Sequence, residues 1–444
     1  MPRLILAGLL INTHRHDLAR RHVDKALKHP EIDWASAVLL GNALFKLGDF
    51  NRSRSVLMSC LENGQMDFES LMNLAAVSQR AGKEQLATRC MRSAGWLRPL
   101  GKPPKVDSGK PNLLVLRSLG GNRLGIKKPG QRPHYSYKFK VGHFSTELML
   151  AGADANLYSG SAAGGNLNTI DELPEITLVL NTIACADSMA PALEEIDSFL
   201  VERGLTSVVN PPSKVLLSSR DANSERLGDI PNVVFPRTLR LHRGSEPSKE
   251  FAAKLRAQDL DLPLILRQSN THTGRSVKLL TTEAELLEYL DATPPGTDLY
   301  AIEYIDCKRD QPYYRKIRCF FIDGKFYPVA CLSHDTWQIH SGDRYQVMDK
   351  VEATRNQEQA YLENPERFLG ESVFTALHRI AKEIDLDFFG IDFAPDDQGR
   401  AVVFEANAAM RHNYDHAVTF PYTRPHLDRV SEAMQNMIRT RLVG

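Results

Sequence analysis

The feature that most constrains this chain is a recurrence at a fixed interval. Gly41, Gly48, Ser53 and Leu57 return 34 residues later as Ala75, Gly82, Ala87 and Met91, and 34 residues earlier the same steps fall on Ala7, His14, Ala19 and Val23. An interval of that length implies a supersecondary unit stacked on copies of itself. Small residues at these steps let paired helices pack closely, and Gly48 and Gly82 fall at the turns between helices. Residues 1–100 are therefore expected to form three helical repeat units, the first matching least well, with a plain α-hairpin bundle as the alternative. The recurrence stops at Pro99. Residues 101–111, Gly-Lys-Pro-Pro-Lys-Val-Asp-Ser-Gly-Lys-Pro, form a linker without periodicity.

Beyond the linker the pattern changes to alternating strands and helices. Runs at 112–117 and 176–183 read as buried strands, 190–203 as an amphipathic helix, and 207–212 as a short strand ending in a turn. The Leu119-Gly-Gly-Asn-Arg-Leu-Gly stretch lacks the spacing of a dinucleotide loop. At 444 residues the chain has room for several domains, and three are expected: 1–100, 112–211 and 212–444. Lys and Arg number 55 against 54 Asp and Glu, which argues against a nucleic-acid surface or a polybasic membrane patch. The six cysteines form no CxxC pair and read as reduced thiols of a cytoplasmic protein. The apolar start reads as a first helix rather than a signal peptide, and no 18-residue apolar stretch predicts a membrane span.

Chemistry concentrates near the other end. Residues 389–393 and 401–406 are apolar, β-prone runs, and Pro395-Asp-Asp-Gln-Gly399 between them is turn chemistry. Asp392 and Glu405 lie equally far from the Gln398–Gly399 step, so an antiparallel ladder sets them opposite each other. Asn407, two residues beyond Glu405, shares its strand face. Three oxygen donors on one face suit Mg²⁺, which takes few protein ligands and keeps positions for water and phosphate. Solvent-facing charges on a hairpin are the plainer alternative. The small residues around Glu405-Ala-Asn-Ala-Ala leave room for a ligand.

Upstream, residues 262–267 read as a strand ending in Arg267. A polar loop, 268–276, follows and contains His272 and Gly274, and 282–291 reads as a helix. Residues 299–306 form a strand with acids at its end, and 313–330 a hairpin turning at Asp323-Gly324. Lys316 and Arg318 share one face of that hairpin. They are either a solvated edge or a means of neutralising charge on a transferring phosphoryl group.

Taken in order, this set resembles the ATP-grasp superfamily, with a glutathione-synthase-like fold preceded by an α/β domain. The resemblance spans about 112–442 and is carried by Arg267 with the 271–275 loop, Glu303-Tyr-Ile-Asp306, Arg318 before Ile322-Asp-Gly324, Gly390-Ile-Asp392 and Glu405-Ala-Asn407. Residues 1–100 resemble the tetratricopeptide repeat through Lys46-Leu-Gly-Asp-Phe50 and Arg80-Ala-Gly-Lys-Glu84. Together they imply an α+β or α/β multidomain chain: all-α repeats, a pre-ATP-grasp α/β domain, then an ATP-grasp domain binding ATP and Mg²⁺, with Mn²⁺ as a substitute. The resemblance makes Asp392, Glu405 and Asn407 the metal ligands, and Arg318 the residue at the γ-phosphate and the acyl phosphate. It also makes Glu303, Tyr304 and Ile305 the adenine hinge, with Arg267, His272, Gly274 and Lys316 as further nucleotide contacts. Where the family usually has Lys, this chain has Arg267, and its flap is poorer in Gly. His334, Trp337, His340 and Arg411 are candidates for the acceptor pocket.

The implied activity is ATP-dependent joining of a carboxylate to an amine or a thiol through an acyl phosphate. The repeats offer a surface for a peptide or protein substrate. Two alternatives stay open: a phosphotransferase on the same fold, and an interaction protein whose nucleotide site is a sensor. The resemblance also implies a homodimer, many members of the family being dimers or tetramers.

Overall fold

The 34-residue step reappears as backbone geometry. In a computed structural model, His14, Gly48 and Gly82 all take left-handed conformations, with φ of 62°, 86° and 71°. The model describes every residue except 30, 31, 122, 131, 141, 270–275, 309, 310, 409 and 444. The expectations for His272 and Gly274 lie outside the described residues.

The chain divides into two compact units: residues 1–143 with 156–183 and 191–206, and residues 144–155 with 184–190 and 207–444. In the first unit the helices come in pairs: α1 (Pro2–Asn12) with α2 (His16–Leu27), α3 (Trp34–Lys46) with α4 (Phe50–Glu62), and α5 (Phe68–Arg80) with α6 (Glu84–Leu97). Asp33 and Asp67, again 34 apart, cap α3 and α5 by accepting from the backbone N–H of Ser36 and Ser70. Ala7, Ala19, Ala75 and Ala87 are fully buried, as the close-packing argument requires. A Cβ at Gly41 would lie 2.5 Å from a Leu57 methyl, so this glycine sets how near α3 comes to α4.

The same unit holds strands β1 (Leu100–Gly101), β2 (Asn112–Ser118), β3 (Leu124–Lys127), β4 (Ser136–Phe139), β5 (Asn156–Ala162) and β6 (Leu178–Asn181). β2 runs parallel to β5 and β6, while β1 edges β5 antiparallel. β3 and β4 form an antiparallel pair, and Leu124, Ile126, Tyr137 and Phe139 pack into the core of α5 and α6. Helix α7 (Ala186–Glu202) begins four residues before its expected start and runs through the boundary between the units. No helix among the described residues is long and apolar enough to cross a membrane.

The second unit opens with β7 (Val208–Val209), α8 (Pro212–Leu216), α9 (Arg220–Leu227) and β8 (Val233–Val234). An antiparallel sheet follows, built from β9 (Thr238–Arg243), β10 (Leu264–Gln268), β11 (Lys278–Leu280) and β12 (Thr297–Glu303) in the order β11-β10-β12-β9. Helices α10 (Ser248–Arg256) and α11 (Glu283–Asp291) cover it, burying Phe251, Leu255, Leu286 and Leu290 against its strands. The Thr282 side chain caps α11 in a capping box with Glu285.

The second sheet of this unit contains β13 (Tyr314–Ile322), β14 (Lys325–His334), β15 (Phe388–Pro395) and β16 (Ala401–Asn407), ordered β14-β13-β15-β16-β8. Asp323 and Gly324 make the β13–β14 turn with φ of 47° and 70°, the left-handed pair that a two-residue hairpin needs. Helices α12 (Glu352–Glu363), α13 (Pro365–Leu369), α14 (Glu371–Ile384) and α15 (Arg424–Val443) complete the unit. Phe320, Phe321, Phe388, Phe389 and Phe393 are fully buried in this sheet, which makes it a rigid floor for whatever its polar face carries.

Candidate functional site

Three adjacent strands set three charged side chains in a row. Arg318 on β13 pairs with Asp392 on β15, and Asp392 pairs with Glu405 on β16. Asn407 lies two residues on and donates to Glu405 Oε1 over 2.6 Å. The ladder between β15 and β16 shifts register between Asp392 and Phe393, leaving Phe404 as an extra residue on β16. Arg318 grips Asp392 with two parallel bonds, Nε to Oδ1 at 2.7 Å and Nη2 to Oδ2 at 2.8 Å. Lys316 Nζ lies 3.7 Å from the same carboxylate and also donates to the Ile339 carbonyl. Burial alone would raise the Asp392 carboxyl, but Arg318 and Lys316 hold it below the usual range.

A second ring of charge comes from other elements of the unit. Arg220, the first residue of α9, reaches Glu405 Oε1 at 2.6 Å and donates to the Phe404 carbonyl at 2.8 Å. Burial works against the Glu405 charge, yet Arg220, Arg267 and Arg318 keep its carboxyl below the ordinary value. Arg267 at the end of β10 is pushed down to about 10 by burial and by the like charge of Arg220. Beyond them Arg240 bonds both Asp187 and Asp221, and the Tyr300 hydroxyl donates to Asp187 at 2.6 Å. Burial and then Asp187 push the Tyr300 hydroxyl well up, so it stays protonated as a donor. Asn223 of α9 donates to the Ala406 carbonyl at 2.9 Å, tying that helix to β16.

These groups surround a cavity of about 300 Å³ whose lining includes Arg220, Arg267, Tyr300, Arg318, Glu405 and Asn407. In the inner ring four cations (Arg220, Arg267, Lys316, Arg318) meet two carboxylates (Asp392, Glu405). The outer ring of Arg240 with Asp187 and Asp221 carries one surplus negative charge. The inner ring is thus two positive charges in excess, in a partly enclosed place where Coulomb terms are strong, and such an excess calls for an anionic ligand.

The backbone of the site depends on Gly390, which pairs with Asn407. A Cβ there would lie 2.5 Å from Met410 Sδ and 2.8 Å from a Phe320 ring carbon. Gly390→Ala is therefore expected to destabilise the protein by about 1–3 kcal/mol, the usual range for overpacking a filled core. A lowered thermal midpoint would register it, and an unchanged midpoint would show that Met410 gives way freely.

Of the other residues singled out in the sequence, Arg411 lines the cavity and pairs with Asp415 at 2.8 Å. Glu303 ends β12 and accepts from the backbone N–H of Arg237 at 3.2 Å. Tyr304 meets Trp337 edge-on with ring centroids 6.2 Å apart, and the Ile305 carbonyl accepts from the Cys307 thiol at 3.7 Å. His334 is buried and bonded through its ring nitrogens to Thr336 and Gln346. His340 is exposed, and its backbone N–H donates to Asp343. The structure thus brings Arg267, Arg318, Glu405, Asn407 and Arg411 to the cavity wall, with Asp392 and Lys316 directly beside it. Glu303, Tyr304, Ile305, His334, Trp337 and His340 do not line it.

Sequence reasoning missed Arg220, Asp187, Asp221, Arg240 and Tyr300. Each reaches the site from an element remote in the chain, and nothing in local spacing marks them.

The donor set fits a hard divalent cation in chemistry and placement. Asp392 and Glu405 face each other and Asn407 adjoins Glu405, all three offering oxygen. Among the described residues no three His, Cys, Asp or Glu side chains gather as a metal cluster, so an ion here would be held by two carboxylates and an amide. Both carboxylates are already in contact with guanidinium groups.

No family model and no curated protein matches this sequence. Solved structures do resemble it. A RimK domain protein ATP-grasp from Sphaerobacter thermophilus is 14% identical, with 75% of this chain and 100% of that chain covered at a TM-score of 0.43. D-alanyl-alanine synthetase A from Vibrio cholerae is 15% identical, with 75% and 99% covered at 0.44. The ATP-grasp ligase PsnB, complexed with a precursor peptide and AMPPNP, is 14% identical, with 73% and 97% covered at 0.37.

Proposed function

We propose that this chain is an ATP-dependent ligase of the ATP-grasp kind, joining a carboxylate to an amine or a thiol. The observation that carries the reading is the row Arg318, Asp392, Glu405 and Asn407 beside a cavity with an excess of guanidinium charge. Carboxylates opposite each other at the wall of a cationic cavity serve phosphate chemistry better than they serve a hydrophobic or nucleic-acid ligand.

In this reading Arg267 and Arg220 receive phosphate oxygens, and the 303–305 strand end takes the adenine edge. Mg²⁺ or Mn²⁺, held by Asp392, Glu405 and Asn407, would supply charge neutralisation on the phosphate oxygens. Arg318 and Lys316 face the phosphoryl group in transfer. A carboxylate oxygen of the substrate attacks the γ-phosphorus, the bond to the β-phosphate oxygen breaks, and ADP leaves with that electron pair. The acyl phosphate that results is open to attack at carbon by the amine, which expels phosphate and loses a proton to complete the amide. The protein's share is positioning and charge neutralisation, with no nucleophilic side chain required. The helical pairs, read as tetratricopeptide-like repeats, hold a peptide or protein substrate. Domains at 1–100, 112–211 and 212–444 and a cytoplasmic location belong to the same reading.

Hydroxylamine tests the intermediate directly. With ATP, Mg²⁺ and a panel of carboxylic acids and acidic peptides, hydroxylamine in place of the amine is expected to yield a hydroxamate in step with ADP. ADP release with a stable phosphorylated hydroxyl, and no hydroxamate, would replace the ligase reading with a phosphotransferase.

A further inference from the structure

We propose that Arg220 is a metal-competing latch. It holds Glu405 until a divalent cation takes that carboxylate, and its guanidinium then turns to an anionic oxygen of the bound di- or triphosphate. The inference rests on the reading of Glu405 as a metal ligand.

Four observations carry it. Arg220 stands at the first position of α9, far in sequence from the strand it grips, and its side chain is 18% exposed at the cavity wall. Its guanidinium is split between the Glu405 carboxylate at 2.6 Å and the Phe404 carbonyl at 2.8 Å. Phe404 is the surplus residue of the bulge, so its carbonyl is available to a partner outside the ladder. Arg267 is close enough that its charge and that of Arg220 oppose each other, and both sit near the single Glu405 carboxylate.

Ligation and the latch cannot coexist unchanged. An oxygen-bound Mg²⁺ sits about 2.0–2.1 Å from its ligand atom. A guanidinium 2.6 Å from Oε1 repels an ion held by either oxygen of that carboxylate at short range, and competes directly for the lone pairs of Oε1. The side chain of Arg220 must therefore let go when the ion arrives. Phosphate is the natural next partner, because the planar fork matches two phosphate oxygens and the neighbouring Arg267 already favours an anion there. The anchor at the Phe404 carbonyl lets the guanidinium pivot without the helix moving.

The latch makes two effects of opposite sign. In the full chain, Arg220→Gln is expected to bind Mn²⁺ alone about 10-fold more tightly, followed by the electron paramagnetic resonance of free Mn²⁺. The same variant is expected to bind ATP with Mg²⁺ about 10-fold more weakly by calorimetry, each shift being that of one charge-assisted hydrogen bond. Arg220→Lys, which keeps the charge, should leave Mn²⁺ affinity near that of the wild type. A residue that only supports the fold would weaken both ligands, and that result, or a tighter Mn²⁺ site in Arg220→Lys, overturns the latch while leaving the ligase reading intact. Wild-type protein that takes up neither Mn²⁺ nor ATP with Mg²⁺ overturns the ligase reading, and the latch with it.

Discussion

Replacing Glu405 with Gln is expected to remove the metal-dependent part of ATP binding. Gln keeps the volume and can still accept from Arg220 and Asn407, the partners Glu405 has at 2.6 Å each, so the strand and its neighbours stay in place. What disappears is one negative charge from a ring already two positive charges in excess. The Glu405 side chain is 34% exposed, so water screens part of the loss, and removing one charged partner is placed at the low end of the range for such pairs, about 2 kcal/mol. That corresponds to about 30-fold in affinity. Calorimetric titration with ATP, in the presence and absence of Mg²⁺, separates the two parts. A variant that binds ATP with Mg²⁺ as the wild type does would remove Glu405 from the metal set.

Arg318→Lys is expected to leave ATP affinity within a few-fold of wild type while slowing ADP release by about 10³-fold, the lower end of what a transition-state arginine supplies. Lysine carries the charge but not the fork, and Arg318 now spans both oxygens of Asp392 at 2.7 and 2.8 Å. Arg318→Ala is a different experiment. Asp392 is 3% exposed, and without the fork its charge would be left with Lys316 at 3.7 Å. Breaking a buried pair from one side costs about 3–5 kcal/mol. The partial exposure of Arg318 and the nearby lysine place the expected loss at the low end. Thermal unfolding of the Ala variant and turnover of the Lys variant therefore report on stability and chemistry separately. Equal turnover in the Arg318→Lys variant and the wild type would show that the fork serves only to hold Asp392.

Where the sequence was legible, it was legible through local rules. The turn at Asp323-Gly324 and the start of α11 follow from residues a few positions apart, and the turns at Gly48 and Gly82 from a fixed repeat interval. The facing of Asp392 and Glu405 was also anticipated, but by two offsets that cancel. The hairpin pairs Pro395 with Ala401, so it turns about Gln398, one half-step earlier than counting suggested. A regular ladder from that turn would set Asp392 against Phe404. The bulge absorbs Phe404 and restores Glu405 to its place. Bulges carry no reliable signature in a single sequence, since they depend on what the neighbouring elements offer. The same limit hid Arg220. An arginine after a helix-capping serine looks like a solvated first turn until the fold lays α9 beside β16. Asp187, Asp221, Arg240 and Tyr300 were unreadable for the same reason, being drawn from a helix start, α9 and two strands that meet only in three dimensions.

The edge-on contact of Trp337 with Tyr304 has an optical consequence. The chain has three tryptophans, and Trp34 and Trp96 belong to the first unit, which leaves Trp337 alone in the second. With those two replaced by phenylalanine, a single tryptophan remains, lying against the ring of the tyrosine that follows β12. Tyrosine emission overlaps tryptophan absorption, so at this spacing Tyr304 acts as an antenna for Trp337. The protein thus carries a built-in dye at one strand end, and a ligand docking at that edge, as the proposed function requires, would change its colour and intensity without any label.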